Sequence, residues 1–165
     1  MEKKDLKPAG VFHYFEEICQ VPRPSKKEEK MIAYLKAFGA KHNLETKVDE
    51  AGNVLIKKPA TPGKENLQTV VLQSHIDMVC EKNNDVQHDF LTDPIETEID
   101  GEWLKAKGTT LGADNGIGVA TELAILADDS IEHGPLECLF TVDEETGLTG
   151  AFALQEGFMS GDILL

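Results

Sequence analysis

The chain has 165 residues with a formal net charge of −14, and 41% of its residues are hydrophobic. This length suffices for one domain with a buried core, whereas the acidic excess argues against nucleic-acid binding, which needs a basic face. No apolar run reaches the roughly 18 residues of a membrane span, and the N-terminus lacks the apolar core of a signal peptide. We therefore expect a cytoplasmic protein without nucleic-acid or membrane partners.

Two helices are predicted at the start of the chain. Apolar residues of the 11–19 segment recur at helical spacing, and two prolines then interrupt the chain. Ser25 and Glu28 form the capping-box pattern S-x-x-E. A second helix is therefore expected to begin at Ser25 and to carry an apolar stripe along 31–38.

The rest of the chain alternates short apolar runs with helical patterns. The run Val70-Val71-Leu72 is typical of a strand buried on both faces, and Asp100-Gly101 between two such runs predicts a hairpin. Further helices are expected at about 115–127 and 146–156. Strands that alternate with helices predict an α/β layered sheet. The strands are expected at 44–48, 54–58, 67–76, 95–99, 103–106, 136–142 and 162–165.

The three cysteines, Cys19, Cys80 and Cys138, stand far apart in the sequence. No C-x-x-C pair exists, so a zinc site made of thiolates is not expected. Free cysteine is among the most buried residue types, and we therefore expect reduced thiols in or near the core.

The first acidic cluster, His75-Ile76-Asp77, follows the predicted buried strand. Residues two apart on a strand project to the same face, and a metal-bound histidine commonly donates its second ring N–H to a carboxylate. The pair is therefore a candidate metal ligand with its orienting group. A surface histidine near an aspartate is the simpler alternative.

The second cluster, Gly112-Ala113-Asp114-Asn115-Gly116, lies at the start of a predicted helix. A phosphate-binding loop is excluded, because no G-K-[ST] sequence follows. Asp114 is either a helix N-cap or a metal ligand, since the glycines allow the backbone to approach another group closely.

The third cluster, Asp143-Glu144-Glu145, directly follows an apolar strand. Three carboxylates near a core are costly unless cations compensate for them, although a solvated loop that caps the next helix has the same pattern. In open α/β sheets, sites lie beyond the carboxyl ends of strands, so the three clusters are expected to converge. One histidine with two or three carboxylates suits a cation such as Zn²⁺.

The three clusters, in this order, resemble those of the two-zinc metallopeptidases that include aminoacylases, glutamate carboxypeptidases and carnosinases. The resemblance implies two zinc ions in a complete site, or Mn²⁺ or Co²⁺ on the same ligands. The implied metal ligands are His75, Glu145 and a bridging Asp114. Glu144 would be the general base, and Asp77 would orient His75.

A closer resemblance is to the Xaa-His dipeptidases of this family. It rests on the 79–83 segment, on the following 88–95 stretch and on the 107–116 segment, and it extends over nearly the whole chain. It implies metal-dependent hydrolysis of dipeptides with a C-terminal histidine, such as carnosine, by a water molecule that two metal ions activate. The alternatives are another exopeptidase or deacylase of the family, or a non-catalytic binding domain.

The resemblance also implies a three-layer αβα mixed sheet, the zinc-peptidase (phosphorylase/hydrolase-like) catalytic domain. Residues 1–165 would form its N-terminal portion, whereas a lid domain and the C-terminal catalytic portion would follow Leu165 with an aspartate and a histidine ligand. The expected partners are a small dipeptide and the remainder of the same polypeptide, and a homodimer stays open. Alone, the chain is expected to be inactive and to hold zinc weakly, unless a second polypeptide completes the site.

Overall fold

The computed structural model describes residues 2–165, and every predicted helix and strand is present with ends that differ by a few residues. Within these residues, no helix combines the length and apolar character that a membrane span needs. In chain order the elements are a short 3-10 helix (Lys3–Asp5), α1 (Ala9–Cys19), α2 (Glu29–Lys41), β1 (Glu45–Val48), β2 (Val54–Lys58), β3 (Val70–His75), β4 (Thr97–Asp100), β5 (Trp103–Ala106), α3 (Ala113–Ala127), β6 (Leu136–Thr141), α4 (Thr149–Ala153) and β7 (Ile163–Leu164).

A mixed five-stranded sheet forms the middle of the fold, in the order β1-β2-β6-β3-β7. β1 and β2 pair antiparallel, as do β2 and β6, whereas β3 runs parallel to both β6 and β7. The predicted hairpin is a separate two-stranded sheet of β4 and β5. Because β3 and β6 are parallel neighbours, their carboxyl ends lie at the same edge of the sheet.

Apolar side chains cover both faces of this sheet, as the three-layer prediction requires. The larger core packs α1, α2 and α3 onto one face and includes Phe15, Leu35 and Phe140. On the other face, Leu55, Val71 and Leu139 pack against partly buried side chains of the 154–159 segment, which follows α4. The fold is therefore α/β, with three helices on one face of the sheet and a short non-helical segment on the other.

The strand β3 is less covered than its apolar run predicts. Val71 is buried, but Val70 and Leu72 are half-buried and Gln73 is exposed. Its register with β7 pairs Val70 with Ile163 and Val71 with Leu164. The cysteine prediction is confirmed, since all three are free thiols, with Cys19 and Cys138 buried and Cys80 half-buried.

The predicted capping box at the start of α2 is wrong. The helix begins at Glu29, and Glu28 at its N-cap position makes no side-chain capping bond. The Ser25 hydroxyl donates instead to Asp77 Oδ2 at 2.7 Å, and Glu28 Oε1 accepts from the backbone N–H of Asp143 at 3.0 Å. Charge-assisted hydrogen bonds are stronger than neutral ones, so both side chains are held at the edge of the sheet and not on the helix.

Candidate metal centre

The parallel pairing of β3 and β6 brings the first and third acidic clusters together. His75, the last residue of β3, is in register with Thr141, the last residue of β6. The backbone N–H of Ile76 then donates to the Thr141 carbonyl oxygen at 2.9 Å. The residues that follow the two strands, Asp77 on one side and Glu144 with Glu145 on the other, therefore meet at one edge, as predicted.

The buried imidazole of His75 lies between carboxylates on both sides. Its Nδ1 atom is 3.3 Å from Asp77 Oδ1 and 3.2 Å from the Asp77 carbonyl oxygen. Its Nε2 atom is 3.1 Å from Asp114 Oδ1 and 3.8 Å from Glu144 Oε2. One ring nitrogen thus faces an orienting carboxylate, and the other faces the open, acidic side of the site.

The carboxylate of Asp77 connects the two strand ends. It is fully buried, and it accepts the backbone N–H of Glu144 on Oδ1 at 3.0 Å and that of Glu145 on Oδ2 at 3.2 Å. Burial by itself would raise its pKa, but hydrogen bonds from His75, from these two N–H groups and from Ser25 lower the pKa of Asp77 to about 2. Asp77 therefore stays ionised and fixes both the histidine and the backbone of the third cluster.

The charges around His75 favour a positive group at this point. Burial opposes the charged imidazole most strongly, yet hydrogen bonds to Asp77 and Asp114 and the charges of Asp77 and Glu144 raise the pKa of His75 to about 9. The same carboxylates that favour a proton on the ring would favour a cation beside it.

Asp114 stands at a distorted start of α3. Gly112 occupies the N-cap position with a left-handed φ of 68°, and no side chain makes a capping bond there. Asp114 and Asn115 have non-helical backbone dihedrals, and the peptide bond between them is cis. The Asp114 side chain, 90% exposed, contacts His75 Nε2, which favours the metal-ligand alternative over the N-cap.

The donor atoms fit a metal ion. One ligand atom each from His75, Glu144 and Glu145 lies within 4.8 Å of the others, and Asp114 Oδ1 lies 3.1 Å from His75 Nε2. One imidazole with several carboxylates is a ligand set for Zn²⁺, and Mn²⁺ is also compatible with it. All five residues predicted for the site, including Asp77, are therefore brought together.

An open groove adjoins this cluster. Its volume of about 400 Å³ is in the lower range for small-molecule sites. Its lining includes Val79, Leu111, Asp114 and Glu145. A larger groove of about 520 Å³ lies beside the β4–β5 hairpin. It contains none of the five site residues, so the smaller groove is the relevant one for chemistry at the cluster.

Three residues around the site were not indicated by the sequence patterns. Arg23, Ser25 and Glu28 all come from the segment between α1 and α2, and their partners lie about 50 to 115 positions further along the chain. Ser25 and Glu28 matched the capping-box pattern, which predicted a role at the start of α2. Arg23 is distinguished in the sequence only as the single arginine of an acidic chain.

An α/β sheet that gathers a histidine and carboxylates beyond the carboxyl ends of its strands has the architecture of a metal-dependent hydrolase. Comparison with known proteins agrees with this class. Residues 71–163 match Peptidase family M20/M25/M40, and the chain belongs to this family.

Individual relatives in this family are peptidases by name. The chain is 51% identical over 164 residues to the cytosol non-specific dipeptidase of Escherichia coli (strain K12). Its fold matches the crystal structure of aminoacylhistidine dipeptidase from Vibrio alginolyticus with a TM-score of 0.96 and 55% identity. It also matches aminopeptidase PepT from Bacillus cereus, with a TM-score of 0.79 and 26% identity, over 94% of this chain and 42% of that one.

The chain spans about a third of the length of its two most similar relatives among these. In both comparisons, 99% of this chain is aligned with 34% of the relative. The site described here therefore corresponds to part of a longer protein in those relatives.

Proposed function

We propose that this chain carries the metal-binding and proton-transferring part of a dipeptidase active site. The observation that carries the proposal is the convergence of His75, Asp114, Glu144 and Glu145 beyond the ends of β3 and β6. Membership of the peptidase family and the names of the relatives support the reaction class.

The metal proposal is a pair of zinc ions in the complete site, with Mn²⁺ or Co²⁺ as alternatives on the same ligands. His75 and Glu145 would each hold one ion, and Asp114 would contact both. When bound, such ions supply Lewis-acid activation of water and of a peptide carbonyl. The buried position of Asp77 supports its role in orienting His75, since it contacts the ring nitrogen that faces away from Asp114.

Glu144 is the proposed general base. Its carboxylate is 34% exposed and lies 3.8 Å from His75 Nε2, so it reaches both the ligand cluster and solvent. Asp77 fixes its backbone N–H, which limits the positions that the carboxylate can take. Glu144 would accept a proton from the attacking water and return it to the leaving amine.

The proposed substrates are dipeptides, with C-terminal histidine among them. The groove beside Asp114 is small enough to suit such a substrate. The two dipeptidase relatives differ in name, one non-specific and one acting on aminoacylhistidine. Rates on Xaa-His dipeptides, other dipeptides, tripeptides and N-acyl amino acids would separate the proposal from other exopeptidase or deacylase activities.

The remaining proposals concern the whole protein. We propose that residues 1–165 form the N-terminal portion of the catalytic domain, and that a lid domain and the C-terminal catalytic portion complete the site. A cytoplasmic location is supported by the word cytosol in the name of the Escherichia coli relative. A homodimer is also compatible with the proposal.

The test of the function is Glu144→Gln in the full-length protein. The variant keeps the shape of the side chain but cannot accept the proton, so turnover of a dipeptide should fall by about 10²- to 10⁴-fold. Zinc content, measured by mass spectrometry of the metal, should stay that of the wild type. Glu156→Gln, at an exposed glutamate outside the site, is the control, and turnover by Glu144→Gln at the control's rate would refute the role of Glu144.

A further inference from the structure

We propose that Arg23 is a positioning residue that sets the separation between the His75 segment and the Asp114 segment, and thereby the metal affinity of the site. This inference rests on the proposed function. Arg23 is the only arginine of the chain, and it is 2% exposed. It lies between α1 and α2, outside all three acidic clusters.

The guanidinium of Arg23 joins the two segments through backbone carbonyl groups. Its Nη1 atom donates to the carbonyl oxygens of Ile76 at 3.2 Å and of Asp77 at 3.3 Å. Its Nη2 atom donates to the carbonyl oxygen of Gly112 at 2.7 Å. Ile76 and Asp77 directly follow His75, and Gly112 stands two positions before Asp114, so one planar group spans both ligand-bearing segments.

The backbone of Arg23 is itself tied to the end of β3. The N–H of Met78 donates to the Arg23 carbonyl oxygen at 3.2 Å, and Pro24 pairs with Met78 in a parallel bridge. The Ser25 hydroxyl adds the bond to Asp77 Oδ2. The side chain therefore starts from a fixed point at the first segment and reaches to the second, as a spacer does.

Two glycines of the second cluster leave room for the guanidinium. A Cβ atom added at Gly112 would lie 2.5 Å from Arg23 Nη2, and one added at Gly116 would lie 2.7 Å from it. Gly112 also has a positive φ that excludes most side chains, whereas Gly116 does not. The lack of a side chain at Gly116 is thus explained by its close contact with Arg23 and with the core, since an added Cβ would also lie 3.2 Å from Phe15.

This arrangement leaves the spacer little freedom. Burying a guanidinium is costly unless its hydrogen bonds are made. Movement of either segment would break a bond that the buried charge requires, so the contacts hold both segments at one separation.

The test measures zinc affinity of the full-length protein by competition with a chromophoric chelator. Arg23→Met fills similar space but bonds to neither segment, and its zinc affinity should fall on the order of 10- to 100-fold, as for other groups that support metal ligands. Arg23→Lys keeps the charge but presents one compact ammonium group, so an intermediate loss is expected.

The matched control is Glu137→Gln, at a buried charged residue near the start of β6. It should lower the free energy of unfolding and leave zinc affinity unchanged. Gly116→Ala tests the spacer from the other side, because it should weaken zinc binding in the wild type and much less in the Arg23→Met background. Should Arg23→Met not fold, the zinc affinity of Arg23→Lys and the effect of Gly116→Ala in the Arg23→Lys background replace it.

Wild-type zinc affinity in both Arg23 variants, together with a loss of stability like that of the control, would overturn the inference and leave the proposed function standing. Failure of the wild-type protein to bind zinc, Mn²⁺ or Co²⁺ would instead overturn the proposed function, and the inference with it.

Discussion

At the scale of single residues, the site depends on one buried carboxylate. Asp77 contacts His75, the backbone N–H groups of Glu144 and Glu145, and the hydroxyl of Ser25. Both of its oxygens are therefore hydrogen-bond acceptors. A protonated carboxyl or an amide at this position would place a second donor opposite one of the donors that Asp77 now accepts. The position of Glu144 and the orientation of His75 thus have a common cause.

Asp77→Asn tests this dual role. Whichever oxygen becomes the amide nitrogen, one backbone N–H loses its acceptor, at a cost of about 1–3 kcal/mol in the free energy of unfolding. Zinc affinity should fall as well, because His75 loses its orienting charge. Urea unfolding and zinc titration measure the two effects. Asp93→Asn, at an exposed carboxylate that accepts the Asp89 N–H, is the control, and equal behaviour of the two variants would contradict the role.

At the scale of secondary-structure elements, α3 links the site to the core. It begins at the distorted turn around Asp114 and buries its other face against β3 and α1. This helix carries a buried ionisable residue, Glu122. It is 3% exposed and lies beside Ser74 and Cys138. Burial raises its pKa well above the usual 4.5, and interactions with Ser74 and Cys138 offset this only in part.

The stabilising effect of Glu122→Gln, relative to the wild type, should therefore increase as the pH rises. Above a pH of about 4.5 the unfolded chain ionises this carboxyl while the folded protein retains the proton, so the unfolded state binds fewer protons and stability falls with increasing pH. The neutral glutamine removes that loss. The difference in unfolding free energy between variant and wild type should grow from acidic to neutral pH, and a pH-independent difference would be evidence against a protonated Glu122.

The control for this experiment is Glu98→Gln, at an exposed glutamate in the β4–β5 hairpin. Its unfolding free energy should follow that of the wild type across the same pH range. Taking differences between variants also cancels the titration of every group that they share.

The elements and the site could be predicted from the sequence to different extents. Helix and strand positions follow from apolar periodicity, and the meeting of His75 with Glu144 follows from the rule that places sites at strand ends. Asp114 comes instead from the start of α3. Ser25 and Arg23 could not be predicted, because their partners are fixed by tertiary contacts and not by spacing along the chain. The roles of the five site residues stay predictions, since they rest on resemblance and geometry.

At the scale of the whole molecule, the sheet separates the site from a second polar anchor. Near the start of β6, the buried Glu137 accepts hydrogen bonds from Lys57 at 2.6 Å and from the hydroxyl of Ser160 at 2.6 Å. Burial alone would raise the pKa of Glu137, but Lys57 and Ser160 lower it. This anchor holds the residues that directly follow the 154–159 segment, Ser160 and Gly161, and it shares no residue with the metal cluster.

Removal of metal should lower the stability of the full-length protein without changing its fold. A ligand that binds only the folded state stabilises it by about 2.7 kcal/mol at a hundredfold excess over its Kd. Added zinc should therefore raise the melting temperature of protein treated with a chelator. His75→Ala should melt at the same temperature with and without zinc, and an equal zinc-induced shift in both proteins would show binding elsewhere.

The register of His75 with Thr141 also has a consequence for the order of folding. The ligands are brought together by a parallel pair whose strands are joined through the hairpin and α3, so a long loop must close before any two clusters meet. Short segments of the unfolded chain do not hold the ligand set. We therefore expect the site to form late, after β3 and β6 have paired, so that zinc accelerates refolding little and mainly slows unfolding.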